Sequence, residues 1–101
     1  MTPEGRLLRA VERRLKQIAA SDPTFTFRKR HGTPLGVSGD PDLYGLWRGA
    51  HWEIELKVPS KSPTLLQQFR LSQWAQAGAR TFVVHSLPEL EAAIGRLRPV
   101  V

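Results

Sequence analysis

A chain of 101 residues, 41% hydrophobic and 24% charged, has room for one domain spanning 1–101 and built around one modest core. The absence of cysteine excludes disulfides and thiolate zinc sites, and the three histidines, His31, His51 and His85, lack zinc-motif spacing, so a hard metal on carboxylates is the metal chemistry left open. Fifteen Lys and Arg against nine Asp and Glu give a net charge of +6 and a pI near 10.8, which favours a polyanionic partner over a membrane; a basic solvated surface is the plain alternative.

Thr2-Pro3 opens a helix, with Thr2 as cap and Pro3 in the first turn, where its missing N–H costs nothing. The periodicity predicts a helix to about Ala20, with Leu7, Leu8, Val11, Leu15 and Ile18 as its apolar stripe. Glu4 falls within that stripe one turn earlier, aimed inward at the end of the core. It either complements the helix dipole or supplies an acidic group to a site.

Ser21-Asp22-Pro23 ends the helix, and Thr24 to Arg28 alternates as a strand. The densest positive run follows, Arg28-Lys29-Arg30-His31, and leads into a Gly-rich loop over Thr33 to Gly39 that contains Ser38. Such a run can track a phosphate backbone or form a solvated edge.

Leu43 to Trp47 and His51 to Val58 read as a hairpin turning at Arg48-Gly49-Ala50. Trp52, Ile54, Leu56 and Val58 share one face of the return strand, so His51, Glu53, Glu55 and Lys57 point the other way. Asp42 at the start of the hairpin and Glu55 in its return strand can approach closely enough to bind a hard divalent cation, with the Leu56 backbone carbonyl as a third oxygen. Lys57 lies about 7 Å further along the same face, where an ammonium can offset charge building on a phosphoryl group. The competing reading is an exposed strand face on which Glu53, Glu55 and Lys57 alternate in charge.

Pro59 to Pro63, including Lys61, is a loop. Thr64 with Gln67 forms a capping box for a second helix reaching Ala77, with Gly78 as its stop. Gln67 lies on a side of this helix with Leu71 and Trp74, and needs a partner for its amide. Its own helix N-terminus, or a metal-bound water and a substrate phosphate, can supply one. Arg80 to His85 reads as a strand covered on both faces, with His85 structural. Ser86-Leu87-Pro88-Glu89 reads as a capping box for a last helix ending near Leu97. The order α-β-β-β-α-β-α puts the third and fourth strands parallel in a mixed four-stranded α/β sheet flanked by helices.

The segments Thr2-Pro3-Glu4-Gly5, Gly36 to Leu43, Arg48-Gly49, Ile54-Glu55-Leu56-Lys57, Lys61 to Gln67 and Ala77-Gly78-Ala79, in this order and spacing, resemble the VRR-NUC (virus-type replication-repair nuclease) domain of the PD-(D/E)xK nuclease superfamily, particularly its small stand-alone phage members. The resemblance implies a restriction-endonuclease-like core, with Asp42 and Glu55 as metal ligands, Lys57 as the catalytic lysine, and Gln67 and Glu4 as further site residues. It also implies a Mg²⁺- or Mn²⁺-dependent endodeoxyribonuclease acting on double-stranded or branched DNA, commonly as a homodimer. Arg28, Lys29, Arg30, His31, Ser38 and Lys61 are the candidate DNA contacts. Asp40 departs from the family pattern, which often has an apolar residue before Pro41. The alternatives are a DNA-binding module without activity and a partner-binding accessory protein. With no long apolar stretch and a charged start from Met1 to Gln17, the expected location is the cytoplasm of a bacterial or phage-infected cell.

Overall fold

A computed structural model describes residues 1–30 and 36–98. Helix α1 spans Pro3–Ser21, and its cap is the one expected: the Thr2 hydroxyl accepts the Gly5 N–H at 3.0 Å. Val11, Leu15 and Ile18 are buried, with Leu7 and Leu8 packed at the edge. Strands β1 (Phe25–Lys29), β2 (Leu43–Trp47) and β3 (Ala50–Leu56) form an antiparallel meander. Arg48 and Gly49, with φ of 48° and 81°, make the tight β2–β3 turn whose twist suits paired strands.

Helix α2 (Leu65–Gln76) crosses over to β4 (Arg80–Val84), which pairs parallel with β3, and α3 (Leu87–Leu97) closes the order. The sheet runs β1-β2-β3-β4, the mixed architecture that the crossover argument predicts. Among the described residues no helix is long and apolar enough to cross a membrane.

One face of this sheet holds the core. Phe25, Leu43, Trp47, Trp52, Ile54 and Val84 meet Val11, Leu15 and Ile18 of α1 and Leu90, Ala93, Ile94 and Leu97 of α3. Gly45 is required here, because a Cβ would lie 2.1 Å from the Thr26 carbonyl oxygen and 2.7 Å from the Trp52 ring. Trp52 therefore fills the space that a side chain on the neighbouring strand would need.

The second face departs from the sequence reading. Helix α2 has no buried residue: Gln67, Leu71 and Trp74 are half-buried and Leu65, Leu66 and Phe69 are exposed. Beneath it lie Glu53 and Glu55, which are 0% and 2% exposed, so the exposed charge-alternating face does not exist. The helix rests on polar side chains, and a polar floor gives an apolar stripe little to bury against.

Strand β4 is half-covered for most of its length because it is the edge of the sheet. β3 stops at Leu56, two residues short of Val58, although the Lys57 N–H still donates to the Val84 carbonyl at 3.1 Å. At α3, Ser86 accepts the Glu89 N–H, but the Glu89 carboxylate turns to the His85 N–H at 2.9 Å instead of closing a capping box.

Candidate metal and phosphate site

The antiparallel meander brings Pro41-Asp42 alongside the end of β3. Asp42 immediately precedes β2, and its Oδ2 accepts the Leu56 N–H at 2.8 Å. That N–H faces the β2 side of β3, and so does the carbonyl of the same residue, because the two backbone groups of a strand residue share an edge. Glu55, on the opposite face from Ile54, is near enough to Asp42 for the two carboxyl groups to interact. Burial pushes the Glu55 carboxyl up to about 8, the neighbouring Asp42 charge and hydrogen bond add to the shift, and the Lys57 ammonium draws it part of the way back. The two acids and the amine of the hairpin are thus gathered at one end of β3.

Gln67 has two tasks. Its Oε1 accepts the Thr64 N–H at 2.9 Å, completing the capping box, and its Nε2 donates to Glu55 Oε1 at 3.4 Å. The helix N-terminus is thus one partner of the amide, as considered from the sequence, and the amide N–H reaches the Glu55 carboxyl as well. Glu55 Oε2 is buried without any hydrogen-bond partner. As a carboxylate that oxygen would carry a large desolvation cost, which is why burial favours the protonated group, and which a cation would offset. With Asp42 adjacent and the Leu56 carbonyl on the same side, the oxygen donors suit a hard divalent ion.

Glu4 lines a cleft of about 170 Å³ with Gly5, Leu8, Lys29, Arg30, Asp42 and Leu56. The side chain itself is exposed rather than aimed into the core, because burial on α1 becomes complete only at Val11 and the first turn overhangs the end of the sheet. Among the described residues no three acidic or histidine side chains converge closely enough to hold a metal between them. Glu4 thus shares the cleft of Asp42 without joining a three-acid cluster.

Of the candidate DNA contacts, Lys29 is exposed at this cleft, and Arg28 is exposed with its guanidinium donating to Thr26 Oγ1 and the Phe27 carbonyl. Ser38 and Lys61 are exposed, their carbonyls accepting from Arg70 and pairing with His85 respectively. His31 and the start of the Gly-rich loop, up to Leu35, lie outside the described residues. His85 ties the loop before α2 to α3 through the Lys61 carbonyl and Glu89, which accounts for it structurally.

Arg30 differs from its neighbours in the basic run. Its guanidinium is bidentate to buried Glu53, at 2.5 and 3.1 Å, and also donates to the Pro41 carbonyl at 2.8 Å. It stacks 4.4 Å from the Tyr44 ring centre and 5.2 Å from that of Trp74. His51 bonds the other side of Glu53 and stacks on Trp74, whose indole donates to Asp40 at 3.2 Å. This network is absent from the sequence reading. Its only signal there was that Glu53 shares a face with Glu55, so a buried Glu55 implies a buried Glu53.

No family model matches the sequence, and no curated protein matches it. Among solved structures, one described as "VRR_NUC domain" superposes with a TM-score of 0.76 at 29% identity, covering 94% of this chain and 97% of the other. A second, "VRR_NUC domain protein", shares the fold with a TM-score of 0.65 at 17% identity over 87% of this chain and 84% of its own. The likeness covers nearly the whole of both chains, and with the order α-β-β-β-α-β-α it marks the fold of this chain as that of the VRR-NUC nuclease domain.

Proposed function

We propose that the chain is a Mg²⁺- or Mn²⁺-dependent endodeoxyribonuclease in which Asp42, Glu55 and the Leu56 carbonyl hold the metal. The observation that carries this reading is the unpartnered, fully buried Glu55 oxygen beside Asp42. When bound, the metal supplies Lewis-acid polarisation of a phosphodiester and activation of water. Lys57 then places a positive charge where the attacking water and the phosphoryl oxygens gather negative charge. Gln67 holds Glu55 in orientation, and Glu4 faces the same cleft as a candidate for ordering solvent.

Exposed Arg28, Lys29 and Lys61, together with the +6 charge, support a DNA backbone as the substrate, with branched DNA among the forms to be tried. A homodimer is the assembly that the resemblance implies, and sedimentation at equilibrium tests it. The functional test is incubation of plasmid and branched DNA with purified protein and Mg²⁺ or Mn²⁺. Cleavage that requires metal and is lost in Asp42→Ala is the expected outcome. Salt-sensitive DNA binding with no metal binding and no cleavage would instead identify an inactive DNA-binding module.

A further inference from the structure

The pairing of half-buried Arg30 with fully buried Glu53 is an odd thing to find under a helix none of whose residues is fully buried. Desolvating Arg30 and Glu53 costs free energy that apolar residues of similar size would not, so their retention points to a task other than stability. The contacts of Arg30 indicate that task. Its side chain grips the Pro41 carbonyl at 2.8 Å, its own N–H donates to the Asp42 carbonyl at 2.9 Å, and its Nε lies 3.8 Å from Asp40. Glu53, two residues before Glu55 on the same face of β3, anchors the far side of the guanidinium. Tyr44 and Trp74 fix its plane, and Trp74 also holds Asp40.

We propose that Arg30, braced by Glu53, is a positioning residue that clamps the Asp40-Pro41-Asp42 segment to β3 and thereby sets where Asp42 meets Glu55. This rests on Asp42 and Glu55 forming the site proposed above. It reassigns Arg30 from the phosphate-contacting run to the scaffold of the acids. It also gives Asp40 a place as the second hold on the same loop. Arg30 is suited to the task as Lys is not, because a planar fork can grip a carboxylate and a carbonyl while lying between two rings.

The test compares wild type with Arg30→Lys and with the double variant Arg30→Met/Glu53→Met, which removes both charges and leaves neither buried alone. Four readouts are taken: the thermal midpoint, the exchange rate of the Leu56 amide relative to that of Trp52 in metal-free protein, Mn²⁺ affinity by calorimetry, and kcat and KM on DNA. The Leu56 amide reports the clamp directly, since it is held by Asp42 Oδ2.

In the double variant the midpoint should stay within about 3 °C of wild type or rise. Leu56 exchange should accelerate, and Mn²⁺ affinity and kcat should each fall by about tenfold or more with KM little changed, as for partners that orient metal ligands. Arg30→Lys should lose kcat in the same direction. Unchanged Leu56 exchange overturns the clamp, whatever the enzyme does. An unaltered kcat with weaker DNA binding and a salt slope smaller by about one also overturns it, and returns Arg30 to the phosphate contacts. If wild type neither binds Mn²⁺ nor cuts DNA, the nuclease reading fails, and Leu56 exchange alone decides whether the clamp exists.

Discussion

The sheet face under α1 and α3 and the face under α2 are made by the same strands, often by adjacent residues, yet they are built to different ends. On the first, Trp52 and Ile54 join an apolar core with both covering helices. On the second, Glu53 and Glu55 are equally buried but surrounded by Arg30, His51, Gln67 and Asp42, and no residue of the helix above them is fully buried. Each face leaves one buried side-chain polar atom without a partner among the described residues, Trp52 Nε1 on the first and Glu55 Oε2 on the second. The indole N–H is a neutral group in a tight core, whereas the carboxyl oxygen belongs to an acid that interacts with Asp42, a residue lining the cleft. One face stores stability, and the other draws on that stability to keep charges dry and close together.

The largest effect should come from breaking the first face. Trp52→Ala removes the biggest fully buried side chain and should cost about 3–5 kcal/mol. Against a typical total of about 5–15 kcal/mol, that is enough to lower the urea midpoint sharply or prevent folding. Urea unfolding followed by Trp fluorescence checks it, and a loss under about 1 kcal/mol would mean that the core does not rest on this residue. On the second face, Lys57→Ala should leave the same midpoint nearly unmoved while lowering kcat by about a hundredfold or more. Equal damage to stability and activity from that substitution would erase the division between the faces.

The division also explains which parts were legible in the sequence. Helix spans, the caps at Thr2 and Thr64 and the hairpin follow from local pattern, so α1, β2 and α3 end within a residue or so of where their residues suggest. The placing of Asp42 beside the end of β3 was legible because a hairpin sets the start of one strand against the end of the other, and alternation puts Glu53 and Glu55 on one face. The burial of that face was not, since alternating Glu and Lys most often face solvent. Arg30 was illegible for a related reason: within Arg28-Lys29-Arg30 nothing local distinguishes a solvated cation from one held between Tyr44 and Trp74. Only tertiary contact separates them.

A pH series sharpens the contrast without any core substitution. The Glu55 carboxyl is raised from 4.5 to about 8 in the fold, so between those values the folded chain holds a proton that the unfolded chain has released. Its contribution is therefore fully present below about 4.5 and is lost as pH climbs through 8. Asp22, lowered from 3.8 to about 2 by bonds from Thr24 and Trp47, has the opposite sign: its contribution is present above about 3.8 and is lost only as pH falls toward 2. The thermal midpoint of the metal-free protein should thus decline from about pH 5 to pH 8. Glu55→Gln should flatten that decline, and Mn²⁺ should oppose it in wild type but not in the variant. A flat wild-type profile in chelator would show that Glu55 is not held in the dry environment described.

The smallest effect comes from two helix caps, one on each face. Thr64→Ala opens the capping box of α2, in which Thr64 Oγ1 accepts the Gln67 N–H at 3.1 Å, and Ser86→Ala removes the matching acceptor of the Glu89 N–H at α3. Each should cost about 1 kcal/mol of stability, since the lost bond is of one kind. Their effects on cleavage should part. The box at α2 also steers the Gln67 amide toward Glu55, so Thr64→Ala should lower kcat by about two- to fivefold beyond any change in the folded fraction, a loss of under 1 kcal/mol in the barrier. Ser86 serves a helix whose buried residues all belong to the apolar core, and its loss should leave kcat per folded molecule unchanged. If both caps alter kcat alike, α2 has no closer connection to the acids than α3 has, and Gln67 is a capping residue alone.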